Sequence, residues 1–336
     1  MTTSTAAAVQ AGPALPRPRG ALSRTVTAAL ADGTRGPAPG AGALAAAADP
    51  YGDDLQLALY LLYELHYRGF AGVPDDREWD PDLLALRALL EDRFLAALRR
   101  DVPAGRPVPE VFAELLVEPV DTSGSVGHYL RRHGEPWQVR EYAALRSLYH
   151  LKEADPHAWV LPRLHGRAKA AMAAIEYDEF GAGRAENVHA RLFADLMDDL
   201  GLDHAYGRYV DRAPAAVLAT VNLMSLFGLH RELRGALVGH FAWVEVTSSP
   251  GSRHLAAAMR RTGAGPAAER FYDEHVTADA VHEQIVRREV VGGLLADEPA
   301  LAPDVAFGAD ATTFLEDRLA ARLLSAWREG ASALRE

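Results

Sequence analysis

Apolar residues recur at three- and four-residue spacing along most of this chain, and the period-two alternation of a half-buried strand is weak throughout. The run DLLALRALLEDRFLAALRR, residues 82–100, shows the pattern most plainly, with Pro81 before it as a helix opener. Glycine-rich turns that would punctuate a sheet are sparse. This periodicity points to an all-α fold. Helices are expected over 53–69, 81–100, 109–117, 136–153, 214–230, 232–247, 265–295 and 311–334. A further long stretch runs over 162–200, interrupted at Gly181 and Gly183. Gly124, Gly127 and Gly134 mark a loop.

Residues 1–48 depart from the pattern. They are mostly Ala, Pro, Gly, Thr and Ser, with Pro13, Pro16 and Pro18 close together. Large apolar side chains are nearly absent, so burial cannot offset the entropy of ordering, and a disordered tail is expected. The expected organisation is that tail at 1–48, an N-terminal helical extension at 49–135 and a helical domain at 136–336. No internal repeat is evident.

Composition narrows the chemistry. Among 336 residues there is no cysteine, which excludes disulfides, a zinc ribbon, a Cys-ligated iron–sulfur cluster and a thiol nucleophile. A formal net charge of −11 argues against a nucleic-acid partner. No apolar run reaches the length of a membrane span, and no basic segment precedes an apolar one as in a signal peptide. The expected location is cytoplasmic, away from the membrane. The motif G-x-G-x-x-G after a strand, a Walker-type loop and G-x-S-x-G are all missing, which leaves nucleotide and serine-hydrolase readings without support. Carboxylates, hydroxyls and 13 histidines remain.

Some of those histidines fall into a pattern. In FYDEHVTADAVHE, residues 271–283, His275, Asp279 and His282 project within an arc of ~60° on an ideal helix. Two imidazoles and a carboxylate on one stripe suit a non-haem metal such as iron; the competing reading is a solvated polar face. A second group lies in IEYDEFGAGRAENVH, residues 175–189. Glu186-x-x-His189 has the spacing of the Glu-x-x-His motif in ferritin-like di-iron bundles, and Asp279-x-x-His282 is its aspartate variant. Glu179 and His189 would lie about 15 Å apart along a straight helix. Periodicity therefore favours Glu186, unless Gly181 and Gly183 distort the helix.

Glu245, in FAWVEVTSSP, is a lone carboxylate inside an apolar helix end. Buried, it must be paired, protonated or metal-bound; otherwise it points to water. Glu153, flanked by Lys152 and Asp155, reads either as a ligand or as an ordinary exposed helix end. Glu64 and His66 do not face each other at i, i+2 and are assigned to structure or to a helix–helix hydrogen bond. His150, His165, His204 and His240 have no partner spacing and default to surface or satisfied core positions.

Taken in this order, AIEYDEFGAGRAENVH, EVTSSP and FYDEHVTADAVHE resemble the heme-oxygenase-like diiron oxidases and oxygenases, the iron-containing redox enzymes, over about residues 140–295. The resemblance implies a heme-oxygenase-like helical bundle. It implies Glu153, Glu245, Asp279, His189, His275 and His282 as metal ligands. Glu179 resembles an additional carboxylate found in members that oxygenate nitrogen. The implied cofactors are two iron ions, with O2 as co-substrate and an external electron donor. The implied reaction is N-oxygenation of a small amine or amino-acid-like substrate in specialised metabolism. Desaturation or C–C cleavage of a fatty or amino acid, and ferritin-like iron handling, are the alternatives. Tyr177, Phe180, Trp243 and Tyr272 flank these ligands and are candidates to line a dry cavity. The helices at 53–118 either cap the site or build the surface of a homodimer.

Overall fold

The computed structural model describes residues 12–33, 40–117 and 120–336. It is helical, with no strand among the described residues, as the periodicity requires. In chain order the helices are α1 (Ala21–Ala31), α2 (Ala41–Ala47), α3 (Asp53–Glu64), α4 (Pro81–Asp101), α5 (Val108–Leu115), α6 (Val126–Arg132), α7 (Pro136–His150) and α8 (Asp155–Ala158). They continue as α9 (Gly166–Glu179), α10 (His189–Asp199), α11 (Ala215–Leu229), α12 (Arg234–Thr262), α13 (Pro266–Ile285), α14 (Gly292–Asp297) and α15 (Ala302–Arg328). Among the described residues no helix is long and apolar enough to cross a membrane.

The long α12 is the axis of the bundle and packs on α13, α15 and α6. Its crossing with α15 is set by two glycines. A Cβ on Gly239 would stand 1.9 Å from the Val305 carbonyl oxygen, and one on Gly308 would stand 1.9 Å from that of Ala236. Only hydrogen fits there, so the two backbones touch. Helix α11, AAVLATVNLMSLFGL, is apolar on all sides and is buried almost throughout between α3 and α15. Side chains of α3 and α4 belong to the same apolar core as those of α11, α12 and α15.

The expectation of a disordered tail at 1–48 fails where the chain is described. Leu22, Val26 and Leu30 recur every four residues on one face of α1 and are buried, which is enough apolar surface to seat a short helix. Asp54 caps that helix from α3, accepting from the Leu22 and Ser23 amides at 2.9 and 2.7 Å. Gly20 makes the approach possible, since a Cβ there would sit 2.2 Å from Asp54. Residues 1–11 and 34–39 of that expected tail lie outside the described residues.

Other boundaries differ too; the last helix, expected over 311–334, spans Ala302–Arg328. The glycine-marked loop at 124–134 holds α6, capped by the Ser125 side chain. Helix α12 continues through Pro250 to Thr262 rather than stopping near 247. Proline has no N–H, so the carbonyl of Val246 has no i+4 amide donor there. The stretch 162–200 is two helices. Between them Gly181, Ala182 and Gly183 all take positive φ (76°, 51° and 81°), ending α9 at Glu179 and letting α10 begin at His189. A similar break follows α7, where Ala154 has φ 73° directly after Glu153.

Candidate metal centre

These breaks assemble the site. Glu153 lies in the turn after α7, Glu179 is the last residue of α9, and His189 is the first of α10. Glu245 comes from the middle of α12, and His275, Asp279 and His282 come from one face of α13. All seven converge, and each is only 2–7% exposed.

They form two groups. Glu153, His189 and His275 offer ligand atoms within 4.8 Å of one another, and so do Glu179, Asp279 and His282. Glu179 lies between the groups: one oxygen is 2.7 Å from His189 Nδ1 and the other is 3.6 Å from His282 Nδ1. Glu245 joins the second group at 3.3 Å from His282 Nδ1, and Asp279 is 3.7 Å from the same nitrogen. Glu153 is 3.7 Å from His275 Nε2. They surround a cavity of about 20 Å³ lined by Glu153, Glu179, Glu245, His275 and Asp279.

The donor atoms fit a metal. Glu153 Oε2, His189 Nδ1, Glu245 Oε2, His275 Nε2, Asp279 Oδ2 and His282 Nδ1 are buried and make no hydrogen bond. Buried polar atoms are ordinarily satisfied, and several of these face one another as ion pairs, a donor set that a cation would satisfy. When ionised, Glu153, Glu179, Glu245 and Asp279 carry four negative charges, which two divalent cations neutralise. Without metal, protons partly take that role. Burial pushes Glu245 up to about 8 and Asp279 up to about 6. Burial alone would lower His275 and His282, but Glu153 raises the first to about 10 and Glu245 raises the second to about 9. Burial would raise Glu153, yet His150 and His275 hold it well below the usual carboxylate range.

Neighbouring groups orient these side chains. His275 Nδ1 donates to the Phe271 carbonyl at 2.7 Å, which turns Nε2 toward Glu153 and the cavity. His282 Nε2 is 3.3 Å from Asp178, and its Nδ1 faces the second group. His150 Nδ1 lies 2.9 Å from Glu153. His150, expected at a surface or satisfied core position, and Asp178, which carries no motif of its own, both touch the cluster. His150 stands one helical turn before Glu153 and Asp178 stands beside Glu179, and those positions were the available signal. Glu176 was also missed. It is buried one turn before Glu179 with neither oxygen hydrogen-bonded; burial first, then Glu179 and Glu245, push it up to about 9.

Glu186 sits exposed in the short turn before α10 and belongs to neither group. Lys152 does not lie at an exposed helix end beside Glu153 but is buried in an ion pair with Glu64. Of the four aromatic candidates, Tyr177 and Phe180 are exposed. Trp243 and Tyr272 line a second cleft, of about 180 Å³, which shares Tyr149, Val244, Ser248 and His275 with the metal cavity. That cleft also carries Arg146, which donates through both terminal guanidinium nitrogens to Glu316 at 2.8 and 2.6 Å.

Comparison with known proteins points the same way. A family model described as iron-containing redox enzyme matches residues 140–317, which carry all seven clustered side chains. The chain is similar to the nitrosourea synthase of Streptomyces achromogenes subsp. streptozoticus, at 23% identity over 159 residues. That match covers 47% of this chain and 34% of the relative, so the chain spans about a third of the relative's length.

Proposed function

This chain belongs to the iron-containing redox enzyme family, with its heme-oxygenase-like all-α fold, and on that premise we propose that it is a non-haem diiron oxygenase. The observation that carries the reading is the placement of Glu179, which shares one buried group with His282 and lies 2.7 Å from His189 of the other. Glu153, His189 and His275 would hold one iron; Glu179, Asp279 and His282, with Glu245, would hold the second. Two ferrous ions bound there would supply electrons for the reduction of O2, and an external donor would restore them.

The chain's own residues prepare the site for that chemistry. The Phe271 carbonyl and Asp178 fix the rotation of two imidazoles, and His150 holds Glu153 ionised. Phe241, Val244 and Tyr149 line the metal cavity and hold it to about 20 Å³, room for about one water molecule. The adjoining cleft of about 180 Å³ is smaller than a drug-sized pocket and presents both a guanidinium and a carboxylate. Its size favours a small polar substrate over a long acyl chain. Together with the likeness to a nitrosourea synthase, this supports N-oxygenation of a small amine or amino-acid-like compound.

The test is anaerobic titration of the metal-free chain with ferrous iron, followed by O2. Two irons per chain and a transient visible absorption on mixing are expected. Binding of no iron, or of a single ion, overturns the diiron reading. Product analysis of the iron-loaded chain with O2 and either small amines or fatty acids then separates the reaction classes: an N-oxygenated amine supports the reading, and an alkene or a shortened chain overturns it.

A further inference from the structure

His157 and His240 form an imidazole pair where the two cavities meet. Each is 1% exposed, and their Nε2 atoms lie 3.1 Å apart. His157 lines the metal cavity beside Glu153, Glu245 and His275. His240 lines the neighbouring cleft beside Thr312 and Glu316. Neither belongs to the seven clustered ligand candidates.

The hydrogen bonds fix where the protons sit. The Gly308 carbonyl can only accept, so the Thr312 hydroxyl donates to it, at 2.7 Å. Thr312 Oγ1 therefore accepts from His240 Nδ1, at 2.8 Å, and His240 carries its proton there. Burial holds His240 down at about 4; burial, then His240 beside it, holds His157 well below the usual range, so both are neutral. A neutral His240 with a proton on Nδ1 has its lone pair on Nε2. It accepts from Nε2–H of His157, which leaves Nδ1 of His157 as that ring's lone-pair nitrogen.

We propose that His157 and His240 relay a proton between the metal cavity and the substrate cleft, an inference that rests on the oxygenase reading above. A proton taken up at His157 Nδ1 drives the His157 Nε2 proton across the 3.1 Å bond onto His240 Nε2. His157 is then neutral again in its other tautomer, and His240 is the imidazolium. Glu316 is the carboxylate that favours positive charge at that end. The imidazolium passes its Nδ1 proton to Thr312 Oγ1 as that hydroxyl turns from the Gly308 carbonyl and releases its own proton into the cleft, which Thr312 also lines; the reverse sequence carries a proton from the cleft to the metal cavity. Reduction of O2 consumes protons and oxidation of an N–H bond releases them, while the cavity carboxylates are engaged as ligands.

Two measurements test the relay. The first is ¹⁵N NMR of the metal-free full chain with labelled histidine near neutral pH. It should show His157 protonated at Nε2 and His240 protonated at Nδ1, with Thr312→Val relaxing the His240 preference. A cationic ring, or the opposite tautomer at His157, overturns the proposal. The second compares ferrous-loaded wild type with His157→Gln and His240→Gln on mixing with O2 in H2O and in D2O. At wild-type iron content, the variants should react about tenfold more slowly or worse and lose the wild-type solvent isotope effect. An unchanged rate and isotope effect overturns the proposal. Failure of the wild type to take up iron sinks the diiron reading instead, and the tautomer measurement still decides whether the pair is built as described.

Discussion

Lys152 Nζ lies 2.9 Å from Glu64 Oε2, with both side chains removed from solvent. The Tyr206 hydroxyl donates to the other Glu64 oxygen at 2.6 Å, and the Tyr67 ring lies 4.1 Å from the ammonium. The pair ties α3 to the turn that carries Glu153. Removing one partner of a buried pair strands the other charge, which costs about 3–5 kcal/mol, whereas removing both is far milder. Lys152→Met should lower the unfolding free energy of the metal-free chain by about that amount and weaken iron binding through the displaced Glu153. The double variant Glu64→Leu, Lys152→Met should recover most of the stability. Denaturant unfolding checks both, and a double variant no more stable than the single removes the argument.

Glu179 and Glu186 make opposite forecasts about iron. Glu179 is buried 2.7 Å from His189, whereas Glu186 is exposed in a turn. Glu179→Ala should reduce the bound iron from two ions per chain to one or none. Glu186→Ala should leave the iron content at the wild-type value and shift stability by under about 0.5 kcal/mol, as surface changes do. Elemental analysis of the reconstituted variants reads both, and loss of iron from the Glu186 variant alone would reverse the assignment.

This pair also shows where sequence reasoning reaches its limit. The stripe of His275, Asp279 and His282 is legible because one helix carries all three, and helical spacing converts directly into a shared face. Glu179 and His189 are not legible that way. Their ten-residue spacing means separation only on a straight helix, and three successive positive-φ residues fold it back. Two of these are glycines, so the break was foreseeable in kind but not in direction. Glu153 depends on a turn in which an alanine takes positive φ, and neither that nor the distant partner of Lys152 has a local signature. The seated α1 was missed because composition averages hid three apolar residues on one face.

The crossing of α12 and α15 predicts a sharp asymmetry between two glycines of the same helix. At Gly239 a methyl group would stand 1.9 Å from a backbone oxygen of α15, which neither helix can relieve by a rotamer change. Gly239→Ala should destabilise by about 3 kcal/mol or more, since overpacking against backbone exceeds the usual strain of an added methyl. At Gly251 a Cβ meets nothing within 4 Å. Gly251→Ala should be neutral or stabilise by up to about 1 kcal/mol, because alanine loses less entropy than glycine on entering a helix. Thermal unfolding of the two variants should move in opposite directions, and equal shifts would mean that the helices do not touch at Gly239.

Glu176 sets a pH dependence whose sign can be worked out. Its folded value of about 9 lies above its unfolded one, because burial comes first among the causes and Glu179 and Glu245 add to it. Below the unfolded pKa, near 4.5, the group is neutral in both states and its contribution to stability is complete. As pH rises from there toward 9, the unfolded chain ionises while the folded chain keeps its proton, so stability drains away. Glutamine is the neutral isostere and feels no such pull. Glu176→Gln should match the wild type at acid pH and exceed it by roughly 3 kcal/mol near neutrality, from 1.36 kcal/mol per unit of pKa difference. Chelator-treated protein unfolded across that pH range gives the comparison. Parallel curves for the two proteins would show that Glu176 ionises freely in the fold.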